Sequence, residues 1–157
     1  MTSAALTLHW PTAAETTRAG TTLGPCLRAG DVVLLEGDVG AGKTQFARAL
    51  IQSVLLEPED VPSPTFTLVQ VYETENGTLW HADLYRISAD TEIDELGLSE
   101  AFEDAICLVE WPDRLGPLTP ESALTIKMKP DGAGRSATLH WTDPRWPDRL
   151  EQVVANA

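Results

Sequence analysis

Residues 32–50 read VVLLEGDVGAGKTQFARAL, and the reading of this stretch decides the architecture. Val32, Val33, Leu34 and Leu35 run into Gly37, from which the pattern G-x-x-x-x-G-K-[ST] is filled by Gly37, Asp38, Val39, Gly40, Ala41, Gly42, Lys43 and Thr44. The apolar run has strand length, and Phe46, Ala47, Leu50 and Val54 recur at helical spacing. Strand, glycine loop and helix in that order form the context a phosphate loop of the Walker A type requires.

The chemistry accounts for the letters. A triphosphate must be met by backbone N–H groups at hydrogen-bonding distance, and glycines let the chain wrap that closely. The helix opening near Lys43 aims unpaired N–H groups and the positive end of its dipole at the same point. Lys43 adds charge over the β- and γ-phosphates, and the Thr44 hydroxyl is placed for the accompanying Mg²⁺.

Upstream, Leu6, Leu8 and Trp10 alternate with polar residues and predict a strand ended by Pro11. Thr12, with Glu15 three residues on, predicts a capped helix running to about Arg28, with Cys26 on it. Gly30 and Asp31 turn the chain into the phosphate-loop strand. Downstream, Pro58 and Val61-Pro62-Ser63-Pro64-Thr65 predict a stiff loop, because proline lacks a donor and restrains its predecessor. Thr67, Val69 and Val71, an Asn76-Gly77 turn and Thr78–Leu84 predict a hairpin. Short helices around Gly97 are expected within 91–102. Ala105–Val109 is a buried strand ending at Glu110, a second hairpin turns at 131–134, and 146–154 is a C-terminal helix.

Composition excludes several classes. The length of 157 residues suits one domain, 1–157, and no apolar run approaches the roughly 18 residues of a membrane span. No basic segment followed by a long apolar one opens the chain, so a cytoplasmic location without membrane association is the expectation. Cys26 and Cys107 lack metal-ligand or C-x-x-C spacing and read as small core residues. The net charge of −13, with lysines at 43, 127 and 129 alone, argues against broad binding of tRNA or DNA by the isolated protein.

Phosphoryl chemistry on a phosphate loop needs positioning, a metal ion and an oriented nucleophile. Asp83 and Glu110 each end a predicted strand, the place where such sheets hold their ligands. Either carboxylate could bind Mg²⁺ or orient the attacking water, and spacing leaves the two assignments open. Thr65 sits where a switch segment answering the γ-phosphate would lie, or else is a turn hydroxyl. Trp111 stacks beside the site or belongs to the core. His81 reads as structural.

Four motifs in order, GDVGAGKT (37–44), SPTFTLV (63–69), HADLYR (81–86) and ICLVEWPDR (106–114), resemble the TsaE family, small bacterial P-loop ATPases of tRNA threonylcarbamoyladenosine (t6A) biosynthesis. The resemblance implies a mixed α/β P-loop fold with added antiparallel hairpins and a weak ATPase using Mg²⁺. It also implies action with a two-protein complex that transfers threonylcarbamoyl to an adenosine beside the anticodon. On this likeness Lys43 and Thr44 carry phosphates and Mg²⁺, Glu110 is the second metal-side acid, and Asp83, Thr65 and Trp111 support hydrolysis. Val39 stands for the usual leucine and Gln45 for a frequent threonine, without loss of a needed donor. Arg135 lies beyond the matching motifs and is carried as a candidate near the nucleotide.

Two other classes compete. A small-molecule P-loop kinase closes arginines over the donor phosphates, whereas the arginines here are scattered, and no N-K-x-D motif supports a GTP switch. A pure binding module would use ATP only to become rigid.

Overall fold

The computed structural model of the protein describes residues 4–38, 41–64, 67–87 and 90–155. Its strands are β1 (Ala4–Trp10), β2 (Val32–Glu36), β3 (Val69–Thr74), β4 (Gly77–Asp83), β5 (Ile106–Glu110), β6 (Leu124–Asp131) and β7 (Gly134–Trp141). Its helices are α1 (Ala13–Leu23), α2 (Lys43–Gln52), α3 (Asp90–Leu96), α4 (Leu98–Asp104) and α5 (Trp146–Ala155). The strands form one mixed sheet in the order β1-β7-β6-β2-β5-β4-β3. The phosphate-loop strand is therefore central.

Burial follows from that order. β2 and β5 are apolar up to a final glutamate because a central parallel strand is covered on both faces, and β5 is buried throughout. β1, β6 and β7 alternate instead, since only one of their faces meets the core. On that face α1, α2 and α5 close over Leu35, Phe46, Leu50, Ile126, Leu139 and Trp146. α3, α4 and the turn at Pro112–Leu118 close the other face over Leu34, Ala82, Ile93, Leu98, Val109 and Leu115. Burial pushes the Cys107 thiol up to about 12, as befits a core residue.

β4, β5, β2 and β6 are parallel, so their carboxyl ends share one edge. In β4 and β5, Asp83 lies directly opposite Glu110. The β6–β7 hairpin turns at the same edge and delivers the start of β7 beside the phosphate loop.

α1 braces α2 from behind. A Cβ at Gly20 would stand 2.6 Å from the Phe46 carbonyl oxygen, so the two helices touch backbone to backbone there. Thr12 caps α1 through a hydrogen bond from the Glu15 N–H, as expected. The helix ends at Leu23 rather than near Arg28, and Gly24–Cys26 make a 3₁₀ turn. Pro25 removes a backbone donor, and Gly24 is pressed onto α2 so tightly that a Cβ would meet the Leu50 carbonyl at 2.7 Å. The first hairpin also differs by one residue. Thr74 pairs with Gly77, so its connecting residues are Glu75 and Asn76, and Gly77 opens β4. The remaining strands and helices match the sequence reading to within two residues.

Candidate nucleotide and metal site

A cavity of about 470 Å³ opens at the carboxyl edge of the sheet, bordered by Asp38, Gly42, Lys43, Thr44, Gln45, Ser63, Asp83, Tyr85, Glu110, Trp111 and Arg135. Gly42 is left-handed, with φ of 99°, and begins α2 without any side-chain cap. The first N–H groups of the helix are thus left for an anion. Gly37 has φ of 147°, and a Cβ there would stand 2.6 Å from the Met128 carbonyl, so glycine alone fits between β2 and β6.

Lys43 folds back over this loop. Its Nζ donates to the Gly37 carbonyl and, at 3.5 Å, to that of Asp38, and it lies 3.6 Å from the centroid of the Trp111 ring. The residue is 5% exposed. Burial holds its pKa below the ordinary lysine range, against the pull of the Glu110, Asp83, Asp38 and Asp113 carboxylates. A cation–π contact with the half-buried Trp111 ring stabilises the charge further. Trp111 reaches this position with a left-handed backbone, φ 59° and ψ 53°, strained for so bulky a residue. Tyr85 steadies it, the ring centroids 4.8 Å apart.

The carboxylates gather opposite. Glu110, 2% exposed, accepts a 3.1 Å hydrogen bond from the Thr44 hydroxyl on Oε1, while its Oε2 lies 2.7 Å from His81 Nε2. Asp83, 5% exposed, accepts from the Tyr85 N–H at 3.0 Å. Among the described residues no three His, Cys, Asp or Glu side chains converge to hold a metal unaided. A hydroxyl and one or two carboxylates beside an anion site do fit Mg²⁺, which takes its remaining ligands from phosphate and water. Thr44 and Glu110 could hold it, with Asp83 beside them.

Of the site residues expected from sequence, Gly37, Asp38, Ala41, Gly42, Lys43, Thr44, Asp83, Glu110 and Trp111 meet at this edge. Gln45 borders the cavity, yet its amide nitrogen turns to α1, donating to the Ala13 carbonyl at 2.9 Å and lying 3.2 Å from the Thr17 hydroxyl. Val39, Gly40 and Thr65 lie outside the described residues. Ser63 borders the cavity, and the Asp83 N–H donates to the Leu68 carbonyl at 2.8 Å, tying Leu68 to the end of β4.

A family model described as threonylcarbamoyl adenosine biosynthesis protein TsaE matches residues 10–137. This chain belongs to the TsaE family. A relative from Rickettsia felis named tRNA threonylcarbamoyladenosine biosynthesis protein TsaE is 39% identical over 115 residues, 73% of this chain and 67% of that one. One of the same name from Treponema pallidum is 36% identical over 118 residues, 74% and 86% of the two chains. The crystal structure of Bacillus subtilis YdiB superposes with a TM-score of 0.79 at 26% identity, covering 99% of this chain and 97% of that one. As a TsaE-family protein the chain takes part in t6A modification of tRNA.

Two residues of this TsaE-family site escaped sequence reasoning or nearly so. His81, read as structural, is bonded to Glu110. The signal was its place two residues before Asp83, which on a strand puts both side chains on one face. Arg135, carried only as a candidate, donates from Nε to the Ala41 carbonyl at 2.9 Å and so supports the phosphate loop from β7.

Proposed function

We propose that the chain, as one domain, is a Mg²⁺-dependent ATPase subunit of t6A biosynthesis, and that a two-protein partner complex transfers the threonylcarbamoyl group. The observation that carries this reading is the buried Lys43 ammonium, held on main-chain carbonyls of the glycine loop beside an uncapped helix start. Such a cation is poised to exchange carbonyl oxygens for phosphate oxygens. The N–H groups at the start of α2 take the same phosphates, and the Thr44 hydroxyl and Glu110 face the metal side. When bound, Mg²⁺ supplies charge neutralisation on the phosphate oxygens. Asp83, held by the Tyr85 N–H, orients the attacking water, and Trp111 keeps bulk water off Lys43. Arg135 is tied to the loop backbone instead of riding on a lid, which favours hydrolysis over the kinase reading.

With a net charge of −13, the partner complex holds the tRNA and this chain binds the complex, with the loop around Thr65 ordering when ATP and Mg²⁺ are present. The test measures ADP release by the protein alone, with candidate metabolites, and with its partners. Slow release alone, faster release with partners and no response to metabolites are expected. Stimulation by a metabolite that becomes phosphorylated would establish the kinase instead. Tight tRNA binding by the isolated protein at physiological salt would contradict the electrostatic argument, and equal partner affinity with ATP, ADP or no nucleotide would remove the switch.

A further inference from the structure

His81 is 1% exposed and Glu110 2% exposed, and a 2.7 Å hydrogen bond joins their side chains across β4 and β5. A carboxylate only accepts, so His81 supplies the proton from Nε2. Its other nitrogen, Nδ1, is buried without a hydrogen-bond partner among the described residues. A leucine would fill the same space without a desolvated nitrogen. What the histidine adds is therefore the Nε2 bond to Glu110.

That bond completes a clamp. Glu110 Oε1 is engaged by Thr44 in the first turn of α2, and Oε2 by His81 in β4. In the β4–β5 ladder His81 faces Leu108 and Asp83 faces Glu110, so the imidazole reaches the carboxylate along the diagonal, beside Asp83. With both oxygens held from different elements, the carboxylate is oriented so that Oε1 meets the Thr44 hydroxyl.

We infer that His81 is the positioning residue of this site: its Nε2–H fixes the Glu110 carboxylate so that Oε1 and the Thr44 hydroxyl form a ready pair for the metal side of a Mg²⁺–nucleotide. This rests on the proposed assignment of Glu110 to the metal side. An outer partner of this kind typically changes metal affinity by about 10- to 100-fold when removed.

The test uses the full chain and reads Mg²⁺-dependent binding of a fluorescent ATP analogue, Mg²⁺-free ADP affinity, and thermal unfolding. His81→Leu is expected to raise the half-saturating Mg²⁺ concentration about tenfold and to leave Mg²⁺-free ADP affinity within about twofold. His81→Gln, whose amide nitrogen reaches the Nε2 position, is expected to recover most of the loss. His81→Asn, whose amide is too short, is not. Long-range proton–nitrogen NMR of the nucleotide-free protein is expected to show His81 as the Nε2–H tautomer. Wild-type Mg²⁺ dependence in a folded His81→Leu variant, or an Nδ1–H tautomer, overturns the inference. If His81→Leu does not fold, Gln and Asn variants with the same Mg²⁺ dependence overturn it as well. A wild-type protein that binds the analogue without any need for Mg²⁺ overturns the proposed function and takes this inference with it. A Mg²⁺-dependent wild type with unresponsive variants removes the inference alone.

Discussion

The central strand β2 has a buried carboxylate environment at each end, and the two differ in how completely they are answered. At the amino end Asp31, wholly buried, accepts from Arg145 at 3.1 Å, from Arg149 at 2.5 Å and from the Arg28 backbone N–H at 2.8 Å. Two guanidiniums from α5 and its approach thus satisfy one carboxylate and lock the C-terminal helix to the sheet. At the carboxyl end two buried acids, Glu110 and Asp83, share a cavity wall with Lys43, whose ammonium is turned toward loop carbonyls and an indole, and with Arg135. A saturated cluster has nothing left to bind. The carboxyl-end acids instead border a cavity, where carboxylates suit a divalent cation arriving with phosphates.

The largest effect that would sharpen this contrast is on stability. Asp31→Ala leaves two guanidiniums without their shared acceptor and should destabilise the protein by about 3–5 kcal/mol, read from urea unfolding, while the folded fraction still binds nucleotide. A loss of nucleotide affinity without loss of stability would erase the distinction between the ends. Next comes Lys43→Ala, expected to cut ATP hydrolysis by about 100-fold or more with the unfolding midpoint nearly unchanged. Hydrolysis at the normal rate, or an unfolded protein, would show that the ammonium is structural.

The two acids should then separate. Glu110→Ala is expected to weaken Mg²⁺-dependent nucleotide binding by about tenfold and Asp83→Ala to slow turnover more than binding. Equilibrium titration against steady-state rates decides it, and the opposite pattern would exchange the roles. The smallest effect belongs to Asp143. Hydrogen bonds from Arg145 hold its pKa below the usual carboxylate range, so its contribution is complete above the unfolded value of about 4 and is lost as pH falls through the lower folded one. Asp143→Asn should slightly flatten the acid limb of a stability–pH curve, and an unchanged limb would mean that Arg145 serves Asp31 alone.

Legibility followed the same divide. The loop at 37–44 could be read because close approach to phosphate admits few residue types, and Asp83 and Glu110 because each ends an apolar run. That the two stand side by side depends on the β4–β5 register, which no local pattern encodes. His81 was passed over because a histidine's letter does not say which nitrogen meets what. The Asp31 cluster joins residues 114 and 118 positions apart, chemistry that only the closed fold assembles. The early end of α1 was missed for a related reason, since Gly24 serves its contact with α2 as well as its own helix.

That contact has a genetic consequence. Gly20 touches no part of the cavity, yet any larger residue there would push on the Phe46 carbonyl and tilt the helix whose first turn carries Lys43 and Thr44. A screen of random alleles for loss of tRNA modification would recover Gly20 substitutions alongside those in the phosphate loop.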